Sequence, residues 1–261
     1  MKILITGQRG YLGSHVYRSL LQKYPSKVVA LDEDKTSTEA YRRSIWDSVG
    51  SVKKSLDFTH IIHIGAASHT RISTELAFEA NYRATQILSE CLPNAYFMFF
   101  SSCAANDPVT TSYGFSKRAA SDWLFSTRDQ VCVFVPYNIY GKEVGRTKKY
   151  SNPEYIVRGQ VEYVTKPFVR DYIHVDDCLR MIHHALSQEA CGVFEMGTGV
   201  GYDFDQLCEI GKLDISGLRH DRPGDDNYPP VGPADRVAKS PYLETKICVK
   251  AWIEKHTASS S

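Results

Sequence analysis

A chain of 261 residues, 43% of them hydrophobic, is long enough to bury one substantial core with a small appended lobe and too apolar to be disordered. Its formal net charge of +1, with acids and bases mixed along the chain, speaks against nucleic acid as the main partner. Seven cysteines without a CxxC pair read as reduced, mostly buried thiols, and with no membrane-length apolar run and no signal-peptide layout the expectation is a cytoplasmic protein away from membranes.

Residues 2–6 are a short apolar run ending at Gly7 and fit a buried parallel strand. From Ser14, Val16, Leu20 and Leu21 recur at helical spacing until Pro25. Residues 27–31 form a second β-branched run closed by Asp32, residues 59–64 a third strand and residues 96–100 a fourth. The pattern predicts a long helix over 75–92 that stops at Pro93, another over 116–125, and a strand over 131–135. Strands alternating with helices imply βαβ units and a parallel, doubly wound sheet. After Gly141, residues 142–153 are polar, basic and rich in loop formers, and should leave that sheet. Residues 168–177 and 192–199 return to strand-and-turn character around a helix at 177–187. Residues 219–241 are dense in Pro, Gly and Asp, and a weakly patterned helix near 242–255 closes the fold.

Gly7-Gln-Arg-Gly10-Tyr-Leu-Gly13 lies between the first strand and the first helix. The turn needs Gly7 for its backbone angles, bulk at Gly10 would block a pyrophosphate, and Gly13 lets helix and strand pack closely. The helix N-terminus adds amide donors and positive potential. Asp32 ends the next strand at the distance where a carboxylate accepts the ribose hydroxyls of an adenosine and repels a 2′-phosphate. Together these read as a dinucleotide site that selects NAD. Arg9, Lys35, Arg42 and Arg43 keep NADP open, since they would hold the extra phosphate if Asp32 turned away. The expected fold is α/β, a Rossmann doubly wound parallel sheet of residues 1–142 and 170–200. A small interleaved C-terminal substrate lobe takes residues 143–169 and 201–261.

Tyr113-Gly-Phe-Ser-Lys117 opens a helix, so the two side chains four apart share a face. A free tyrosine titrates near pH 10 and needs roughly 4 kcal/mol of preferential phenolate stabilisation to act as a base near pH 7. A lysine ammonium on the same face, beside a cationic oxidised nicotinamide, is a field that can supply it. The pair follows a strand ending in Ser101-Ser102-Cys103, and in this strand order that end faces the cofactor crevice.

In this order the motifs resemble the extended short-chain dehydrogenase/reductase family of sugar-nucleotide epimerases, dehydratases and reductases, over nearly the whole chain. The likeness runs through the glycine loop, Ile61-Ile-His-Ile-Gly-Ala-Ala67, Asn81-Tyr-Arg-Ala-Thr85, Ser101-Ser102, and Tyr113 with Lys117. It continues through Pro136-Tyr-Asn138-Ile-Tyr-Gly141, Arg170-Asp-Tyr-Ile-His-Val-Asp-Asp177, Gly192-Val-Phe-Glu-Met-Gly-Thr-Gly199 and Arg222-Pro-Gly-Asp225. The resemblance implies that Tyr113 is the acid/base on a sugar hydroxyl and that Ser102 hydrogen-bonds the reacting oxygen. Lys117 would lower the tyrosine pKa and hold the nicotinamide ribose. Further NAD contacts are implied at Gly7, Arg9, Gly10, Tyr11, Leu12, Gly13, Asp32, Asp47, Ala66, Asn81 and Tyr137. Asn138, Arg170 and Arg222 resemble positions that grip the diphosphate of a nucleotide-sugar substrate, a task suited to the planar arginine fork. Asp225 resembles a position at the nucleotide ribose and Asn152 a further substrate position. A homodimer through the helices at 75–92 and 113–127 is implied in the same way.

Family members that eliminate water, or epimerise beside a keto group, resemble one another in extra acid/base side chains just after the catalytic serine or threonine. Here Cys103 and Ala104 follow Ser102. Alanine moves no proton, and Cys103 reads as a small packing residue. Simple hydride chemistry at one carbinol remains, as an epimerase that oxidises, rotates and re-reduces, or as a one-way ketoreductase. A catalytically silent NAD(P) or sugar-nucleotide binding protein is the alternative from another class. Ser102 and Tyr113 are only eleven positions apart, shorter than the family's usual stretch, and Ala105-Asn-Asp107 stands where Val-Tyr-Gly is usual. His60 with His63, and His183 with His184, lack a carboxylate or thiol at ligand spacing, so no metal site is expected.

Overall fold

A computed structural model of the chain describes residues 1–31, 58–68, 72–141, 152–161, 169–218 and 236–257. Ile3, Leu4 and Ile5 are wholly buried, as a strand apolar on both faces must be, and β1 (Ile3–Thr6) accordingly lies inside a sheet. It is flanked by β2 (Val28–Ala30) and β3 (His60–His63), followed by β4 (Tyr96–Phe100), β5 (Val131–Pro136) and β8 (Gly192–Met196), in the order β2-β1-β3-β4-β5-β8. The pairings from β2 to β5 are parallel, with Leu4 opposite Ile61, Ile62 opposite Met98 and Phe99 opposite Val133. After β2 the chain crosses to the other side of β1, so a crevice opens at the carboxyl ends of β1 and β3. The expected Rossmann-type parallel sheet is present.

Helices cover this sheet through alanines and leucines. Ala80, Ala84, Leu88, Ala120 and Leu124 pack on Leu4, Ile61, Phe97, Phe99 and Val133. After α1 (Tyr11–Lys23), the long helix expected over 75–92 has three parts: α2 (Thr74–Ala77), a π-helical segment (Phe78–Arg83) and α3 (Ala84–Cys91). Such π turns inside helices often mark functional positions, and this one carries Asn81. The next helix, α4 (Ser112–Thr127), starts four residues earlier than its apolar spacing suggests. Thr111 caps it, accepting from the Gly114 amide at 2.9 Å.

The chain divides into two compact units, Met1–Val135 with His183–Phe194, and Pro136–Ile182 with Glu195–Ser261. This differs from the boundaries expected at 142, 170 and 200, because β6 (Asn138–Tyr140) pairs in parallel with β7 (Arg170–His174) in a separate sheet. β9 (Gly201–Tyr202) completes that sheet on the antiparallel side. Tyr140, Ile156, Tyr172, Phe204, Leu207 and Ile253 form the core of the second unit. The loop expected through 153 gives way at Asn152 to α5 (Asn152–Val157), whose first turn tolerates Pro153 because an amide there has no helical partner. α6 (Val175–Gln188) follows β7 directly. α7 (Phe204–Ile210) was not legible in the apolar pattern, although Asp203 and Gln206 form a reciprocal capping box at its start.

Three carboxylates hold the C-terminal part of this unit. Asp171, wholly buried, accepts from the Thr198 amide (2.9 Å) and hydroxyl (2.7 Å), the Gly199 amide (2.8 Å) and the Ala238 amide (3.1 Å). Glu195 accepts from the amides of Lys239 and Ser240. Asp177 accepts from the amides of Lys246 (3.1 Å) and Ile247 (3.0 Å). A segment with little ladder pairing thus places its donors on charged acceptors. The helix expected near 242 is held off for the same reason, and α8 (Val249–Thr257) begins only where the Asp177 contacts end.

Two further expectations meet the structure here. Of the seven cysteines, all free, Cys132, Cys178 and Cys208 are buried, whereas Cys191 and Cys248 are exposed. The reading of mostly buried thiols is therefore corrected: three are buried, two are intermediate and two are exposed. Among the described residues no helix is long and apolar enough to cross a membrane.

Replacing Asp171 by alanine leaves the donors of Thr198, Gly199 and Ala238 without their shared acceptor. The expected loss of unfolding free energy is about 3 kcal/mol, measurable by urea denaturation. A loss below about 1 kcal/mol would contradict the role given to this carboxylate.

Candidate functional site

The glycine loop closes on itself with little room to spare. Gly7 has φ +76°, and a Cβ there would lie 2.5 Å from the Gly65 amide nitrogen, so this position excludes any other residue twice over. A Cβ on Gly13 would fall 1.9 Å from the Gly7 carbonyl oxygen. Gly10 differs. Among the described residues, an added Cβ there meets only the Gly7 oxygen within 4 Å, at 3.3 Å. A side chain at Gly10 would therefore project from the loop beside the α1 N-terminus, which has no side-chain cap and no acid in its first turn. That combination suits the pyrophosphate of a dinucleotide. Arg9 is exposed at the rim, Tyr11 packs edge-on against His15 at 5.1 Å, and Leu12 is buried. Leu12 thus faces the core and offers a ligand only its backbone. Gly65, which sequence reading did not single out by itself, supplies the opposing wall. Asp32 and Asp47, the cations Lys35, Arg42 and Arg43, and Arg222 and Asp225 lie outside the described residues.

Ser102, Tyr113 and Lys117 come together at the carboxyl end of β4. The short link between them begins with a 3-10 turn, Cys103–Ala105, at which the Ser102 hydroxyl accepts from the Ala104 amide at 3.2 Å. The start of α4 then presses on this turn, since a Cβ on Gly114 would lie 2.2 Å from the Ala104 carbonyl oxygen. An ion pair between Arg118 and Asp107, at 2.6 and 3.1 Å, closes the outer side of the link. Despite its eleven positions, the link delivers a hydrogen bond between Ser102 and the Tyr113 phenol. Burial pushes that phenol up to about 12; the Ser102 bond pulls it down, and Cys103 pushes it up. Lys117 is only 1% exposed, with its Nζ 4.3 Å above the centre of the Phe99 ring.

Asn81, expected at the cofactor, has its amide engaged within the protein. Its oxygen accepts from the Ala67 amide at 2.9 Å, and its nitrogen donates to the Ala67 carbonyl (3.3 Å) and the Ser116 hydroxyl (3.0 Å). It sets the backbone beside Ala66, itself half-buried at the crevice, and through Ser116 it reaches the Tyr113 carbonyl (2.8 Å). Tyr137, also expected at the cofactor, is buried with its hydroxyl donating to Glu195 at 3.1 Å.

In the second unit, Asn138 and Arg170 stand at the amino ends of the paired strands β6 and β7. The Asn138 amide donates to the Asp171 carbonyl at 3.1 Å, and Arg170 bridges to Arg236. Asn152 is the first residue of α5. A cavity of about 1030 Å³ opens at the other end of the strand pair, lined among others by Gly141, His174, Trp252 and Lys255. Neither Asn138 nor Arg170 lines it.

Residues 3–197 match the NAD dependent epimerase/dehydratase family. Among solved structures, the chain is similar to UDP-glucose 4-epimerase of Thermotoga maritima with UDP-glucose, at a TM-score of 0.74 and 21% identity, over 99% of this chain and 98% of that one. It is similar to WbmG of Bordetella bronchiseptica in complex with NAD, at a TM-score of 0.75 and 20% identity, over 99% and 93%. It is also similar to dTDP-4-dehydrorhamnose reductase of Bacillus anthracis in complex with NADP, at a TM-score of 0.71 and 14% identity, over 100% and 99%.

Two substitutions separate the structural glycine from the ligand glycine. Gly13→Ala should prevent the loop from closing and lower thermal stability sharply, whereas Gly10→Ala should fold normally and lose NADH affinity by about tenfold or more. Equal NADH binding by Gly10→Ala and the parent, in a fluorescence titration, would remove the pyrophosphate from this loop. Tyr113 gives a second test. A folded-state phenol raised from 10.0 to about 12 contributes stability below pH 10 that is lost as pH climbs through 12. Without cofactor, Tyr113→Phe should therefore lose less unfolding free energy than the parent over that alkaline span, and parallel curves would contradict the burial effect.

Proposed function

The chain belongs to the NAD-dependent epimerase/dehydratase family, and from that premise we propose that it inverts one carbinol of a sugar nucleotide by transient oxidation. The observation that carries this reading is the Tyr113 phenol hydrogen-bonded to Ser102, with the buried Lys117 one helical turn on. NAD held at the glycine loop would supply hydride acceptance and return at the carbinol carbon. Tyr113, as phenolate, takes the hydroxyl proton while the C–H hydride leaves, so the alcohol becomes a ketone whose oxygen accepts from Ser102. Once the keto sugar presents its opposite face, Tyr113 would give its proton back to the oxygen as the carbon is reduced. Atoms and electrons balance over the cycle, with no net redox change.

The phenol must be made acidic for this. Bringing it from about 12 to near neutrality asks for roughly 7 kcal/mol of preferential stabilisation of the phenolate, which we assign to the Lys117 ammonium together with the positive nicotinamide. Ala104 supports the choice of reaction, because it gives the site only its backbone amide, spent on Ser102. Elimination of water and enolate chemistry both need a side-chain acid or base there. Gly7, Gly10 and Gly13 would hold the pyrophosphate, with Arg9, Tyr11, Leu12 and Ala66 around it, and Asp32 and Asp47 at the adenosine half. Asn138, Arg170 and Arg222 would hold the diphosphate of the substrate nucleotide, with Asp225 at its ribose and Asn152 at a further substrate position. A similar fold that binds UDP-glucose supports that substrate class, and one that binds NAD supports the cofactor. The similarity to an NADP-bound reductase supports a ketoreductase as the second reading.

We further propose a cytoplasmic homodimer through α4. Phe115 (51% exposed) and Phe125 (40% exposed) stand on that helix, large apolar groups that a partner copy would cover. Light scattering on the eluting protein should give twice the chain mass; a monomer at micromolar concentration overturns this part.

The reaction is tested by incubating the protein with UDP-, GDP- and dTDP-sugars in deuterated water. Inversion without solvent deuterium in the sugar and without net NADH change is expected. Deuterium beside the reacting carbon would mean an enolate route, and stoichiometric NADH consumption a ketoreductase. Tyr113→Phe should keep NADH binding and lose about 10³-fold in turnover. Near-normal turnover in that variant sinks the mechanism.

A further inference from the structure

His63 ends β3 directly opposite Thr6, the residue before the glycine loop. Its ring is wholly buried, and both ring nitrogens are engaged: Nδ1 with the Thr6 hydroxyl at 2.6 Å and Nε2 with the Thr85 hydroxyl at 3.1 Å. The Thr85 hydroxyl has one proton, and it donates that proton to the Asn81 carbonyl at 2.6 Å. The bond between Thr85 and His63 is therefore donated by the ring, which puts the imidazole proton on Nε2. Nδ1 of the neutral ring is then an acceptor, so the Thr6 hydroxyl donates to it while accepting from the Gly65 amide at 3.0 Å. The direction of every bond in the chain follows, from Gly65 through Thr6, His63 and Thr85 to Asn81.

The two ends of this chain are the two halves of the proposed active site. At one end stand Thr6 and Gly65, beside the pyrophosphate cradle at Gly7. At the other, the Asn81 amide fixes Ala67 and reaches Ser116, whose hydroxyl holds the Tyr113 carbonyl. The His63 ring also packs on Phe99, at 5.7 Å between centres, and Phe99 carries Lys117 on its face. We propose that His63, through Thr6 and Thr85, is a positioning residue that locks the cofactor loop to Tyr113 and Lys117. The proposal rests on the reading of Tyr113 and Lys117 as the catalytic pair. Thr6, His63, Asn81, Thr85 and Ser116 are all wholly buried, so no water replaces a lost partner at the surface, and the chain holds one arrangement or breaks. A shift of the phenol by about 1 Å is enough to cost about a hundredfold in rate.

Thr85→Val removes the hydroxyl at nearly constant volume, and Thr85→Ser restores it. Thr85→Val should lower kcat about tenfold or more with KM within about threefold, weaken NADH binding about tenfold, and move the acid limb of the pH–rate profile upward. Thr85→Ser should recover all three. Thr6→Val with Thr6→Ser repeats the comparison at the other end should Thr85→Val fail to fold. Equal impairment of the valine and serine variants would mark a packing role only, and an unchanged kcat and pH profile in Thr85→Val would equally overturn the proposal. If the parent protein turns over no sugar nucleotide, the catalytic reading fails while this one is still decided by NADH titration. Weaker binding by the valine variant than by the serine variant sustains the lock, and equal binding overturns it.

Discussion

The closeness of α4 to the 3-10 turn at Cys103–Ala105 is the constraint on which the site depends. Only a residue without a side chain fits at 114, because a Cβ there would come within 2.2 Å of the Ala104 oxygen. With that contact made, Tyr113 lies beside Ser102, and Lys117 follows one turn later inside the core. The Thr111 cap sets where the helix begins, and so places Tyr113 in its first turn. The Arg118–Asp107 pair is too exposed to add much stability, and its value lies in closing the outer edge of the link. An eleven-position link therefore brings Ser102 to the Tyr113 phenol.

Burial works against the tyrosine and for the reaction at once. Taken alone, it holds the phenol protonated, well above neutral pH. On the proposed mechanism the base exists only when a positive nicotinamide adds its field to that of Lys117, so the protein abstracts no proton until the hydride acceptor is in place. The same exclusion of water that raises the phenol strengthens the field that lowers it. The polar chain from Gly65 to Asn81 belongs to this logic, since it joins the loop that would receive the cofactor to the helix that presents the base.

Much of this was legible in the sequence, for local reasons. The strands β1, β4 and β5 are mostly apolar runs, β3 sets Ile61 and Ile62 between two histidines, and the glycines of the loop stand where backbone, not side chain, must fit. The tyrosine and lysine share a face by spacing alone. What was not legible depends on partners far along the chain. Asn81 stands where likeness to the family suggests a cofactor contact, but its amide binds Ala67 and Ser116, fourteen and thirty-five positions away. Residues 242–248 have helical composition, yet Asp177, sixty-nine positions before Lys246, takes the amides a helix would need. The short helix at Phe204–Ile210 is the reverse case. Asp203 and Gln206 announce it locally, and the glycines on either side of it mask the signal.

The central claim, that the cofactor turns a buried neutral phenol into the catalytic base, is open to direct measurement. Protein carrying carbon-13 at the tyrosine ζ position, with the Tyr113 resonance assigned by its loss in Tyr113→Phe, can be titrated with and without NAD. The account predicts no ionisation of Tyr113 below pH 10 in the free protein, and an ionisation moved toward neutrality in the NAD complex. A Tyr113 that stays protonated through pH 10 with oxidised NAD bound would contradict it.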